Sequence, residues 1–195
     1  MMSDVWSNLK DRLFFSVEDV AELKGIAITS AHVLCSRYVR RGIFIRVKKN
    51  FYVLERNWTH YGTRDFFKIS NHLRTPSYIT CMTALSYYGI TTQVQRNWYE
   101  NITQRHTVKI EAGGALFSYT KIAPQYYTGF FRQDDVFIAT PEKALLDAVY
   151  LNSLGRYPLD WASLDSERLD IQNLTALLTA FPENVRRRVK EKCRI

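Results

Sequence analysis

Between Ile28 and Leu54 the chain carries six Lys or Arg residues (Arg37, Arg40, Arg41, Arg46, Lys48 and Lys49) and no Asp or Glu. The first half has helical periodicity. Thr29 or Ser30 is expected as its N-cap, and Gly42 is expected to stop the helix just after Arg41. Turned at about 100° per residue, Ala31, Leu34, Cys35 and Tyr38 fall on one face. Thr29, Val33, Ser36, Arg37 and Arg40 fall on the other, with His32 on its flank. The second half, Ile43–Val47 and Phe51–Leu54, is rich in β-branched and aromatic residues. Lys48-Lys49-Asn50 lies between the two runs as a turn of about three residues, with Asn50 able to take a left-handed conformation.

Two further helices are expected upstream. Val5, Trp6, Leu9 and Leu13 recur at helical spacing behind Ser3 or Asp4. Ser16 and Asp19 make a capping-box pattern for a second helix that Gly25 ends. Three short helices followed by a hairpin are the layout of a winged helix-turn-helix, whose third helix enters the major groove. A domain boundary is expected near residue 57, giving a DNA-binding domain over 1–57 and a second domain over 58–195.

The second domain reads as mixed α+β. Phe66, Phe67, Ile69 and Leu73 mark a helix that Pro76 breaks, and Met82, Leu85 and Tyr88 mark another that Gly89 ends. Segments from Trp98 to Ile138 have strand character, with turns at Gly113-Gly114, Pro124-Gln125 and Asp134-Asp135. They predict a small, largely antiparallel sheet. Thr140 as N-cap and Pro141 at the next position open an apolar helix, and two more helices follow, around Leu174–Leu178 and after Pro182. The fold class is therefore α+β.

Charge and composition narrow the function. A net charge of +8 over 195 residues suits a polyanionic partner. Arg37 and Arg40 can read guanine or hold phosphate, Ser36, Thr29 and Ser30 can do either less strongly, and Val33 can touch a thymine methyl. Lys48 and Lys49 at the hairpin tip suit phosphate or the minor groove, with Arg41, Arg46 and Asn50 as further DNA contacts from the helix end and the hairpin. The alternative is a solvated basic face. A second cluster at Arg186, Arg187, Arg188 and Lys190 reads either as a solvated face or as a further DNA or partner contact.

No catalytic or metal site is expected. Glu22-Leu23-Lys24 matches the end of a nuclease motif, but on a short helix where the acids cannot converge. The four histidines lack ligand spacing, and GxSxG, Walker and GxGxxG motifs are absent. No cofactor is implied. Three widely spaced cysteines and the lack of an apolar leader or spanning run point to a reducing compartment, with the cytoplasm as the default. The remaining readings are a metal-dependent nucleic-acid-processing enzyme using Glu142 or Asp147, and a module whose basic face binds an acidic protein.

Several stretches taken together, FSVEDVAELKGI, PSYITCMTALSYYGI, FSYTKI and FIATPEKALLDAVYL, resemble the AbiEi antitoxin family of bacterial type IV toxin–antitoxin systems. The similarity runs from about Phe15 to Leu151 and is loose beyond. It implies an N-terminal winged helix-turn-helix that binds inverted repeats in its own promoter and represses the operon. It also implies a C-terminal domain acting against a nucleotidyltransferase-like toxin without a stable complex. By resemblance, recognition falls to Arg37, Arg40, Lys48 and Lys49. Members also occur as lone regulators without a toxin partner.

Overall fold

A computed structural model describes residues 6–93 and 95–195. Packing divides the chain into two compact units. One comprises Met1–Ile69 and Ile110–Leu116, the other Ser70–Lys109 and Phe117–Ile195. The first unit thus runs on past residue 57.

In the first unit, the segment expected as the first helix holds only a 3-10 turn, Ser7–Leu9, among the described residues. Ser3, Asp4 and Val5 lie outside them. The apolar spacing does its work without a helix, because Trp6 and Leu9 are buried in the core of the unit. Phe15 then exchanges two backbone hydrogen bonds of 2.9 Å with Tyr52, so the chain is extended here.

Helix α1 (Val17–Lys24) opens on the expected capping box. The Ser16 hydroxyl accepts from the Asp19 amide, and the Asp19 carboxylate accepts from the Ser16 amide at 2.7 Å. Arg12 pairs with the same carboxylate. Gly25 ends α1 in the left-handed conformation that a side chain would strain. Helix α2 (Ile28–Arg40) follows after Ile26 and Ala27. Its N-cap is Ala27 and makes no side-chain cap, so the expectation of Thr29 or Ser30 is corrected. The helix starts two or three residues earlier, which moves both hydroxyls into its exposed first turn.

Strands β1 (Phe44–Lys48) and β2 (Phe51–Leu54) form a two-stranded antiparallel sheet. The register shifts between Arg46 and Lys48, where Val47 bulges. The turn is therefore the two residues Lys49 and Asn50, not three. Aromatic side chains knit α2 to this hairpin: Trp6 meets Tyr38 at 5.0 Å and Phe44 at 4.9 Å, edge to face, and Phe15 meets Phe44 at 4.8 Å. Ala31 and Cys35 are buried in the same cluster, with Leu34 and Tyr38 against it, the apolar face read from the wheel. A short helix α3 (Glu55–Trp58) continues directly from β2. The Trp58 indole N–H donates to the Gly113 carbonyl at 2.8 Å.

Helix α4 (Thr63–Leu73) leads to β3 (Ser77–Ile79) and α5 (Cys81–Tyr87). Strands β4 (Trp98–Thr103), β5 (Val108–Ala112), β6 (Ala115–Lys121), β7 (Phe130–Gln133) and β8 (Val136–Ala139) follow. They form one six-stranded sheet in the order β5-β6-β4-β3-β8-β7. The sheet is larger than expected, and its centre is β3, a segment with no clear signal of its own. β3 pairs antiparallel with β4 but parallel with β8. The β7–β8 hairpin is antiparallel.

Helix α6 (Pro141–Ser153) opens as expected, with the Thr140 hydroxyl accepting from the Lys143 amide at 3.2 Å. Every residue from Glu142 to Val149 is buried. Helices α7 (Ile171–Leu178) and α8 (Glu183–Cys193) pack against it. The fold is mixed α+β.

Candidate nucleic-acid interface

The residues on the outer face of α2 are all exposed: Thr29, Ser30, His32, Val33, Ser36, Arg37 and Arg40, together with Arg41 just past the helix. Val33 is 66% exposed, unusual for a branched aliphatic side chain, and Ile28 is 50% exposed at the start of the same helix. The missing side-chain cap leaves the first-turn amides of α2 without a side-chain acceptor, beside the Thr29 and Ser30 hydroxyls. Helix N-termini of this kind attract phosphate oxygens.

At the other end, Arg37 and Arg41 lie 6.0 and 5.9 Å from the Tyr38 ring, close enough for their guanidinium groups to be oriented by its face. Arg37, Arg40, Arg41, Arg46 and Lys49 form no ion pair among the described residues. On the hairpin, Arg46 and Lys49 are exposed, while Lys48 is half-buried with its ammonium 5.7 Å from the Phe51 ring.

Asn50 takes the expected left-handed turn and is also engaged within the unit. It adopts a left-handed conformation at φ 57°, and its side chain reaches back to α1. Its Oδ1 accepts from the Val17 amide at 2.7 Å, and its Nδ2 donates to the Glu18 carboxylate at 2.7 Å. That bond is the main cause holding the Glu18 carboxyl below its usual range, and nearby His32 adds to the effect. The turn is therefore tied to the start of α1, and the Asn50 amide is occupied inside the unit. No local signal pointed to this link, because its partners lie more than thirty residues away.

The second basic cluster divides. Arg186 pairs with Glu183 one turn away on the surface of α8, and Arg188 donates to Asn152 of α6 at 2.7 Å. Arg187 and Lys190 face solvent.

The carboxylates of the enzyme reading are occupied. Glu142 accepts from the Asp170 amide at 3.0 Å and from Asn173 at 2.7 Å, fastening α6 to the start of α7. Asp147 is wholly buried, pairs with Lys143, and accepts from Thr80 at 2.7 Å and Tyr78 at 3.0 Å. The Lys143 ammonium also donates to the Tyr78 hydroxyl at 3.0 Å and sits 5.5 Å from the Phe181 ring. Glu22 is exposed on α1. Among the described residues no group of three His, Cys, Asp or Glu side chains is placed to hold a metal ion, and no helix is long and apolar enough to cross a membrane.

Compared with models of known protein families and with curated proteins, the chain finds no match in either.

Proposed function

We propose that residues 1–57 are a winged helix-turn-helix that binds double-stranded DNA, with α2 in the major groove and the β1–β2 hairpin as the wing on the backbone. One observation carries this reading. The outer face of α2 combines exposed Arg37, Arg40, Ser36, Thr29 and Val33 with no acid of its own and, among the described residues, no ion pair for its cations. Such a face offers guanidinium donors for base edges and an apolar contact for a thymine methyl at once. The first-turn amides of α2 supply a phosphate contact without a charged side chain.

On this reading the chain is a cytoplasmic repressor that acts by binding and has no catalytic step of its own. The resemblance of PSYIT…ALSYYG and IATPEKALLD to the AbiEi family extends the proposal to an autoregulating antitoxin. Its operator carries inverted repeats in its own promoter. Residues 58–195 counteract a nucleotidyltransferase-like toxin without forming a stable complex with it. A stand-alone regulator is the outcome if no such toxin is encoded beside it.

The test is a mobility-shift titration on the promoter region with Arg37→Ala combined with Arg40→Ala. Each bidentate arginine–guanine contact is worth about 1–3 kcal/mol of discrimination. The double variant is expected to lose affinity and to level the difference between promoter and unrelated DNA. Unchanged affinity and specificity would remove α2 as the reading element. Co-expression with the neighbouring reading frame tests the antitoxin extension, and rescue of growth is the expected result.

A further inference from the structure

The second unit contains a cleft of about 380 Å³ beside the C-terminal end of α6. Three separate segments supply its walls. His106 and Thr107 come from the loop between β4 and β5, Lys121 from the last residue of β6, and Arg156 from the turn after α6. Its apolar lining is Ile122, Ala123 and Leu154, with the half-buried Tyr150 ring alongside. Leu154 is 45% exposed, a large aliphatic surface left open at the mouth.

Charge gives the cleft its character. Three of its eight lining residues are basic and none is acidic. Neither His106, Lys121 nor Arg156 forms a side-chain hydrogen bond or ion pair among the described residues. The Lys121 and Arg156 cations, brought together from two segments with no acid in the lining, repel one another, and an anion between them relieves that repulsion. The site is also held in place. The Thr107 hydroxyl accepts from the Lys121 amide at 3.0 Å, fixing the loop to the strand end. The Arg156 amide donates to Leu151 at 3.0 Å, fixing the turn to the helix. A helix C-terminus would ordinarily disfavour an anion. Here the Tyr150, Leu151 and Asn152 carbonyls are taken by the Leu154, Arg156 and Gly155 amides, so few are left to oppose one.

We propose that this cleft binds a nucleoside monophosphate, its phosphate held by Lys121, Arg156 and His106 and its body laid on Tyr150 and Leu154. The size lies within the range of small-molecule sites, which run from about 300 to 1,000 Å³ and combine an apolar lining with a few convergent polar groups. Inorganic phosphate alone would leave the apolar side unused, and a neutral nucleoside would leave the cations unpaired. Nothing in this site draws on the DNA-binding residues, so it stands or falls independently of that reading.

Calorimetric titration of the full chain at low ionic strength tests it, with AMP, inorganic phosphate, adenosine and an unphosphorylated oligonucleotide as probes. AMP is expected to bind, with phosphate and adenosine each weaker by about ten-fold or more. Arg156→Gln and Lys121→Gln lie at the surface and leave the core untouched. Each is expected to weaken AMP by about ten-fold, the effect of losing one charge-assisted contact. Absence of AMP binding at millimolar concentration overturns the proposal. So do adenosine binding as tightly as AMP, phosphate binding as tightly as AMP, and AMP affinity that neither variant changes. Oligonucleotide binding that Arg156→Gln weakens, without AMP binding, would make the cleft a polymer contact and overturn it as a small-molecule site.

Discussion

The Lys143–Asp147 pair makes the second unit vulnerable at one point. Both side chains are fully buried, one helical turn apart on α6. Asp147 also accepts from Thr80 at 2.7 Å and Tyr78 at 3.0 Å, and Lys143 donates to the same Tyr78 hydroxyl. Four buried polar groups thus satisfy one another. Asp147→Asn keeps the shape and the hydroxyl bonds but leaves an ammonium without a countercharge. Lys143→Met keeps the stem and leaves a carboxylate. Breaking a buried pair from either side costs about 3–5 kcal/mol, a large part of the 5–15 kcal/mol that holds a typical domain folded. The double variant removes both charges while the asparagine still accepts from Tyr78 and Thr80. It is expected to be more stable than the sum of the singles predicts, by about 3 kcal/mol or more. Urea unfolding measures this. With a slope of about 2 kcal/mol per molar, each single variant moves the midpoint down by roughly 2 M. Single variants that unfold within about 1 kcal/mol of the parent, or a double that is simply additive, would refute the pair as a mutually dependent unit.

Three other outcomes are expected. Burial raises the Glu100 carboxyl to about 7, against hydrogen bonds from Tyr157 and Thr83 that lower it. The folded state therefore holds a proton that the unfolded chain releases near the ordinary glutamate value. Stability falls as pH rises between those two values, by up to about 1.4 kcal/mol per pH unit, and Glu100→Gln should flatten that slope; superimposable pH profiles of thermal midpoint would count against it. Asn50→Ala loses the bonds to Val17 and Glu18 and strains the left-handed turn, whereas Asn50→Gly loses only the bonds. Both should destabilise the first unit, alanine more, with the lost cap alone worth about 1 kcal/mol, and thermal melts of the two variants decide it. Lys48→Ala with Lys49→Ala should weaken binding to all DNA sequences alike and reduce the salt slope by up to about two units; a slope identical to the parent would take the hairpin off the DNA.

What the sequence made legible was what is local. The Ser16–Asp19 box, the Thr140-Pro141 start of α6 and the two faces of α2 each depend on residues within a few positions of one another. Their chemistry is visible in a short window. The misses have remote partners. Trp6 and Leu9 have helical spacing, but burying both in the core, Trp6 against Tyr38 and Phe44, needs only the two side chains, not a helix between them. Ser77–Ile79 is too short to show alternation, yet it holds the centre of the sheet because β4 and β8 flank it. Asn50 reads as a turn residue, and it is one, but its amide also caps a helix that begins thirty-three residues earlier. Lys143 looks like one more surface cation in TPEKALLD. Only the fold reveals that Asp147, Tyr78 and Thr80 surround it.

The parallel pairing of Ile79 with Ile138 also sets a timetable. A ribosome that has just finished β3 has made neither of its flanking strands, β4 and β8, and neither charge of the Lys143–Asp147 pair. At about 5–20 residues per second, several seconds pass before β8 and α6 emerge. During that interval Tyr78, Ile79 and Thr80 have an open strand edge and hydroxyls without their final acceptor. Chains stalled or cleaved between Ile79 and Val136 carry that edge permanently. They are the species to look for in aggregates when expression outpaces folding.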